Sequence, residues 1–202
     1  MIKTINIRHA SEIQLGQKEL LAVGKGPSCA AWERKYLDSH TVIGINHSSS
    51  EFKTHIAHFT DYEQFIDQDS YSRFVICPAF MNHEFKTVKD LRRLVCEDEK
   101  MNLLFREKRL FSYDIVTPDG FATQLFKKSI QENPFIFKYA SGVLVVQLAI
   151  LWGKKQLYTL GIDGGKQYEQ RFHSTKGNGL FLDEQIKLMN EIANGKIDII
   201  KL

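Results

Sequence analysis

The chain has 202 residues, 43% hydrophobic and 25% charged, with only four prolines. That composition gives a globular chain long enough for a sizeable core and excludes disordered and collagen-like classes; there is no internal repeat at a solenoid period. A formal net charge of +3 suits an anionic ligand but falls short of the strong basic bias of nucleic-acid-binding domains.

Lysine and arginine are spread along the chain. The densest group, Arg92, Arg93, Arg106, Lys108 and Arg109, is broken by Glu97, Asp98 and Glu99 and reads as a solvated face. Cys29, Cys77 and Cys96 are odd in number and have no metal spacing, which points to a reducing, cytoplasmic setting. The N-terminus lacks an apolar signal core. The longest apolar stretch, Val143 to Trp152, is interrupted by Gln147 and is too short for a bilayer, so no membrane segment is expected.

Residues 1–18 are weakly patterned and read as an extended N-terminal strand or arm. Glu19 to Val23 reads as a buried strand that ends in the turn Gly24-Lys25-Gly26-Pro27-Ser28. Cys29, Trp32, Tyr36 and Leu37 then recur at helical spacing. Thr41 to Ile45 and His55 to Phe59 are the next strands, and Asp61 with Gln64 predicts a capping box. Arg73 to Cys77 is a fourth strand. Phe85, Val88, Leu91, Leu94 and Val95 suit one amphipathic helix.

Residues 101–117 are mixed, and Pro118 is expected to open a helix to about Ile130. Ser141 to Trp152 is a helix apolar nearly all round, N-capped by Ser141 and stopped at Gly153. Gln156 to Leu160 is a strand, Leu182 to Ala193 a helix, and Lys196 to Ile200 a closing strand. Alternating strands and helices predict an α/β, Rossmann-like fold: a mostly parallel sheet flanked by helices, with residues 1–202 in a single domain.

In open α/β sheets ligands sit beyond the carboxyl ends of the strands. Those ends carry Gly24 to Ser28, Asn46-His47, Thr60-Asp61 and Gly161-Ile162-Asp163, while Ser141-Gly142 adds a helix N-terminus. The glycines allow close backbone approach, and the following helix aims free N–H groups at an anion. A helix terminus contributes only about 0.3–1 kcal/mol at an exposed site, so Lys25, Ser28 and Ser141 are needed as further donors. The turn is neither a Walker A loop nor a full dinucleotide fingerprint, and a plain strand-to-helix turn is the alternative reading.

Asn46 reads either as a base or ribose contact or as a turn residue. Asp61 reads as a helix cap or a site carboxylate. Asp163 reads as an acceptor of ribose hydroxyls, a cation ligand or a turn residue. His173, in Arg171-Phe172-His173-Ser174-Thr175-Lys176, reads as a general base or as an exposed loop histidine. His55 and His58 lie at i and i+3 of a strand, on opposite faces, so they do not predict a metal site. No Cys/His set has zinc spacing, and there is no nucleophile elbow of the Gly-x-Ser-x-Gly kind.

Five motifs in order, Val23-Gly24-Lys25-Gly26-Pro27-Ser28, Ile45-Asn46, Ser141-Gly142-Val143, Leu160-Gly161-Ile162-Asp163 and His173-Ser174-Thr175-Lys176, span most of residues 19–202. In these the chain resembles the bacterial sialyltransferases of glycosyltransferase family 42 and a related group that includes hydroxymethyldihydropterin diphosphokinases. The resemblance implies that Gly24, Gly26, Ser28, Asn46, Ser141, Gly142 and Asp163 line a cytidine-nucleotide pocket. It also implies that Tyr168 meets the leaving phosphate and that His173 is the general base of an inverting, metal-independent transfer.

Three functions follow as expectations. The first is glycosyl transfer from a nucleotide sugar to an acceptor hydroxyl, with no cofactor. The second is pyrophosphoryl transfer from ATP, with Asp61 and Asp163 holding Mg²⁺. The third is a catalytically silent module that binds a nucleotide or, through its basic excess, a nucleic acid. Sugar and acceptor are left open, and homo-oligomerisation is compatible with all three.

Overall fold

In a computed structural model the chain is described over residues 5–67, 72–83, 87–116, 135–136, 141–165, 168–172 and 182–202. The first half begins with β1 (Arg8–His9), β2 (Glu19–Val23), α1 (Tyr36–Ser39), β3 (His40–Ile45), α2 (Ser48–Glu51), β4 (Ile56–His58), α3 (Tyr62–Ile66) and β5 (Phe74–Pro78). A hairpin of β6 (Phe80–His83) and β7 (Thr87–Asp90) follows, then α4 (Leu91–Glu97), α5 (Glu99–Arg106) and β8 (Leu110–Tyr113). The remaining elements are β9 (Ile115–Val116), β10 (Phe135–Ile136), α6 (Ser141–Leu151), β11 (Gln156–Leu160), α7 (Leu182–Ala193) and β12 (Asp198–Lys201).

Eight strands form one sheet in the order β1-β8-β5-β4-β3-β2-β11-β12, and every pairing in it is parallel. Such a sheet must be covered on both faces, which is why its strands read as apolar runs rather than alternations. Leu20 and Ala22 of β2 point to the face covered by α6 and α7, where they meet Val143, Leu144, Met189 and Ala193. Leu21 and Val23 point to the other face and pack with Cys29, Phe52 and Phe172. Further along that second face, Ala57, Val75 and Cys77 meet Phe65, Leu91, Leu94 and Met101 of α3, α4 and α5.

The α/β, mostly parallel architecture agrees with the reading of the sequence, and most strands fall where the apolar runs place them. Helix α6 is buried over most of its length and is stopped by Gly153, which takes a left-handed φ of 65°. Among the described residues no helix is long and apolar enough to cross a membrane.

Four details differ. After the glycine turn there is no continuous helix. Pro27–Ala31 makes a 3-10 turn, Trp32 is extended at φ −58° and ψ 130°, and only Tyr36–Ser39 is α-helical. Phe85 to Val95 is not one helix: Thr87–Asp90 is a hairpin strand, and α4 starts only where the Asp90 side chain accepts the Arg92 N–H at 2.8 Å. Residues 101–117 conceal the end of α5 and a full sheet strand, β8, whose alternating Leu110, Phe111 and Tyr113 serve both faces of the sheet. The capping box at Asp61 is not made, because Asp61 accepts from the Gln64 side chain at 3.3 Å instead of from backbone. The helix expected from Pro118 to Ile130 lies outside the described residues.

Two glycines control where β2 and β11 meet. Gly161 has a left-handed φ of 70°, and its nearest neighbours are the Gly24 carbonyl and Cys29 Cβ. A Cβ on Gly24 would overlap the Gly161 carbonyl oxygen. Gly24→Ala is therefore expected to destabilise the fold by about 2 kcal/mol or more. Gly16, which has open space around it, should accept alanine within about 0.5 kcal/mol. Denaturant unfolding of the two variants checks the contrast.

Candidate functional site

The strands leave β2 in one direction through β3, β4, β5 and β8, and the chain then returns to place β11 on the other side of β2. That reversal puts the topological switch point, and the natural ligand crevice, at the carboxyl ends of β2 and its neighbours. The loops there fall into two groups with different chemistry.

The first group is a clamp between the β2 and β11 turns. The Gly24 N–H donates to the Leu160 carbonyl at 2.8 Å and the Gly26 N–H to the Gly161 carbonyl at 2.7 Å. The Gly161 N–H returns a bond to Ser28 Oγ at 2.7 Å, and the Ser28 N–H donates to Asp163 Oδ2 at 2.7 Å. The other Asp163 oxygen lies 2.8 Å from Lys201 Nζ on β12.

The sequence expectation aimed these N–H groups at a ligand phosphate. In the structure they are spent on the partner turn, and the carboxylate of Asp163 occupies the place of that anion. The short 3-10 turn behind it has little dipole of its own to offer. Burial would raise the Asp163 pKa, but Lys201 and the Ser28 N–H outweigh it and hold the carboxyl below its ordinary value. Gly142 likewise gives its N–H to Gln185 Oε1 at 2.9 Å, an α7 side chain that would have to shift to admit a Cβ at that position. These four glycine and serine positions, with Asp163, form the frame of the crevice.

The second group gathers beyond the ends of β2, β3 and β4. Lys25, only 8% exposed, projects from the glycine turn with its Nζ 4.6 Å from the centre of the Tyr168 ring. The Tyr168 segment is held there by the Glu169 N–H, which donates to the Lys25 carbonyl at 2.8 Å. Burial lowers the Lys25 pKa from 10.5 to about 8, with the Asp61 carboxylate pulling the other way. From Asp61 a line of side chains runs inward: Thr60 Oγ1 lies 3.2 Å from Asp61 Oδ2, and 2.9 Å from Ser141 Oγ at the start of α6. Ser141 thus contacts a strand-end threonine and is the first residue of the helix rather than its cap.

The loop after β3 is rigid. Asn46 takes a left-handed φ of 54°, a conformation Asn tolerates better than most residues. Its N–H donates to the His58 carbonyl at 2.9 Å, and Ser48 Oγ ties the loop to the Ile45 and Val23 carbonyls. Asn46 Oδ1 is buried without a hydrogen-bond partner among the described residues, and the half-buried His47 and Gln64 side chains face each other beside it. Such an unpartnered atom is uncommon and calls for a partner from elsewhere. Burial and the nearby Lys25 keep the His47 pKa below its usual value, against weaker upward pulls from Gln64 and Asp67. The ring is neutral at pH 7.

The structure therefore brings Lys25, Asn46, Asp61, Ser141 and Tyr168 to one neighbourhood, and sets Gly24, Gly26, Ser28, Gly142 and Asp163 in the framework. His173 lies outside the described residues. Sequence reading placed His47 and Thr60 among the strand-end groups but gave them no role of their own, and it took Gln64 only as part of a capping box. The signal for His47 was present, because it directly follows the strand-end Asn46. The paired carboxylates required for Mg²⁺ are not together: Asp163 is engaged by Lys201 and Ser28, while Asp61 faces Lys25 and Thr60. Among the described residues no group of three His, Cys, Asp or Glu has metal-holding geometry. The diphosphokinase-like reading accordingly has no support here. His55 and His58 also serve separate structural ends: His55 Nδ1 accepts the Val42 N–H at 3.0 Å, and His58 Nε2 lies 2.7 Å from the Tyr113 hydroxyl.

No protein-family profile matches the chain, and no curated protein matches it. Solved structures of similar arrangement include sialyltransferase CstII from Campylobacter jejuni in complex with the substrate analogue CMP-3FNeuAc. It is 17% identical at a TM-score of 0.46, covering 92% of this chain and 81% of that one. A sialyltransferase CST-II complex with trisaccharide acceptor and CMP matches at 16% identity and a TM-score of 0.46, over the same shares of the two chains. A CstII complex with cytidine-5'-monophosphate matches at 16% identity and a TM-score of 0.44, over 94% and 81%.

Lys25 yields a prediction that separates stability from binding. With its pKa at about 8 in the fold and 10.5 outside it, the unfolded chain holds more protons between those values, so stability should rise with pH across that window. Below it the full burial penalty acts. Lys25→Met should therefore stabilise the fold at pH 7 by about 3 kcal/mol and flatten the rise at higher pH. Chemical unfolding of both proteins from pH 7 to 10.5 tests this; a destabilised variant would contradict it.

Proposed function

We propose that this chain is a nucleotide-sugar-dependent glycosyltransferase whose donor lies over the carboxyl ends of β2, β3 and β4. The carrying observation is the convergence of a buried lysine with the unpartnered Asn46 Oδ1 and the facing His47 and Gln64 side chains beyond the ends of the central strands. A buried polar group left without a partner costs about 1–3 kcal/mol, and a ligand that completes its bond removes that cost. The ordered likeness of the motifs to family 42 sialyltransferases supports the same reading.

In this proposal Lys25 neutralises the leaving phosphate, and Tyr168 packs beside it. The Asn46 amide reads a base or ribose edge, and Asp61 accepts ribose hydroxyls. Ser141 offers its hydroxyl, and α6 its first-turn amides beyond Gly142, to the phosphate. Gly24, Gly26, Ser28, Gly142 and Asp163 hold these groups in register. His173 takes the proton from the acceptor hydroxyl as the oxygen attacks the anomeric carbon from the face opposite the nucleotide. The phosphate leaves with the electrons of the broken bond, and configuration inverts. No metal is required.

A thermal-shift panel of CMP, UDP, GDP, ATP and their sugars tests the binding half. One member at a hundred times its dissociation constant should stabilise the fold by about 2.7 kcal/mol. Asn46→Gly keeps the left-handed turn accessible but removes the amide, and should weaken that response. Stabilisation by none of the panel would sink the proposal.

The catalytic half rests on turnover. His173→Ala should lower kcat about 10²–10⁴-fold with the nucleotide response intact. His47→Ala, in the same neighbourhood, is the control. If it alone removes turnover, the proton acceptor is His47 and the assignment to His173 falls.

A further inference from the structure

An opening lies away from the proposed nucleotide site. It is a cavity of about 120 Å³ between β1, the ends of β5 and β8, the base of the β6–β7 hairpin and the start of α4. Its polar lining is Asn6, His9, Asp90, Arg92, Ser112 and Asp114, and Phe80 adds an aromatic ring. The Arg92 guanidinium has no partner among the described residues, and Asp90 uses one oxygen on the Arg92 N–H. None of these residues belongs to the site described above.

The lining suits hydroxyl groups. Carboxylates accept paired O–H donors, amide and serine groups both donate and accept, and a guanidinium donates to ring and hydroxyl oxygens. Two carboxylates against one guanidinium disfavour an anionic ligand.

The location also fits a second substrate. In the sheet order β8 stands three strands from β3, about 14 Å at the usual inter-strand spacing. Tyr113, in the cavity wall, bonds through its hydroxyl to His58 Nε2 at 2.7 Å. That histidine belongs to β4, the strand that leads into Thr60 and Asp61. We propose that the cavity binds a neutral sugar unit, and that this is a distal unit of the acceptor rather than the one that carries the reacting hydroxyl. Its role as acceptor site rests on the transferase reading; its occupancy by a sugar does not.

The test is amide NMR on the full chain titrated with lactose, maltose and, as an anionic control, glucuronate. Lactose or maltose should shift the amides of Asn6, Ser112 and Asp114 and leave those of Lys25 and Asn46 in place. Asn6 is exposed, so Asn6→Trp can close the mouth without disturbing the core. It and the isosteric Asp114→Asn should each weaken the neutral sugar about tenfold. Absence of shifts, shifts that persist unchanged in Asn6→Trp, or tighter binding of glucuronate would overturn the proposal. If the shifts occur but no nucleotide sugar binds, the sugar site stands and the transferase reading fails. If nucleotide binds and the shifts are absent, the reverse holds.

Discussion

The turn after β2 is locked to the turn after β11, and the rest of the site depends on that lock. Four short hydrogen bonds and one ion pair join Gly24, Gly26 and Ser28 to Leu160, Gly161 and Asp163, with Lys201 behind them. Donors that would otherwise face solvent are satisfied within the protein, so the backbone of the glycine turn has a single position. The side chain between the two glycines, Lys25, is thereby held between the Tyr168 ring and the Asp61 carboxylate. The glycines are needed for the fit of one turn against another, and their service to the ligand is indirect.

The two sets of loops divide the labour electrostatically. On the β11 side a carboxylate is fully compensated by a backbone N–H and a lysine, which makes a structural, low-pKa group. On the β3 and β4 side a buried ammonium shares its surroundings with an aromatic ring, a carboxylate and an imidazole. Full pairing gives rigidity. A buried ammonium is costly to desolvate, and an anion brought beside it offsets that cost. Sites of this kind usually trade stability for binding.

The legible parts of the fold were those where a local pattern coincides with burial on both faces. Strands β2, β3 and β11 are apolar runs closed by Gly or Asn, and α6 is apolar all round, so neighbours in sequence suffice to recognise them. Strand β8 was hidden because it follows α5 almost directly, and Leu110 to Tyr113 match a helix face as readily as a strand. The hairpin was hidden because Val88 and Leu91 fit helical spacing until the Asp90 cap is seen to start a new element. At the site, the strand-end rule located Lys25, Asn46 and Asp61. It could not tell that Ser28 and Asp163, 135 positions apart, are partners, because that bond exists only once β11 lies against β2.

The position of β11 has a consequence for how the protein is made. Strand β2 lies between β3, its near neighbour in the chain, and β11, whose Leu157–Leu160 align with Leu20–Val23. During synthesis β2 can acquire its first partner early, but its other edge stays unpaired until more than half of the polypeptide has followed. Parallel pairings across such long separations form late and slowly. A ribosome-bound chain stopped before β11 would expose a flat apolar edge, a template for association with other chains. The crevice beside β2 is thus completed among the last features of folding, after the apolar helix α6 has crossed the sheet to deliver its partner strand.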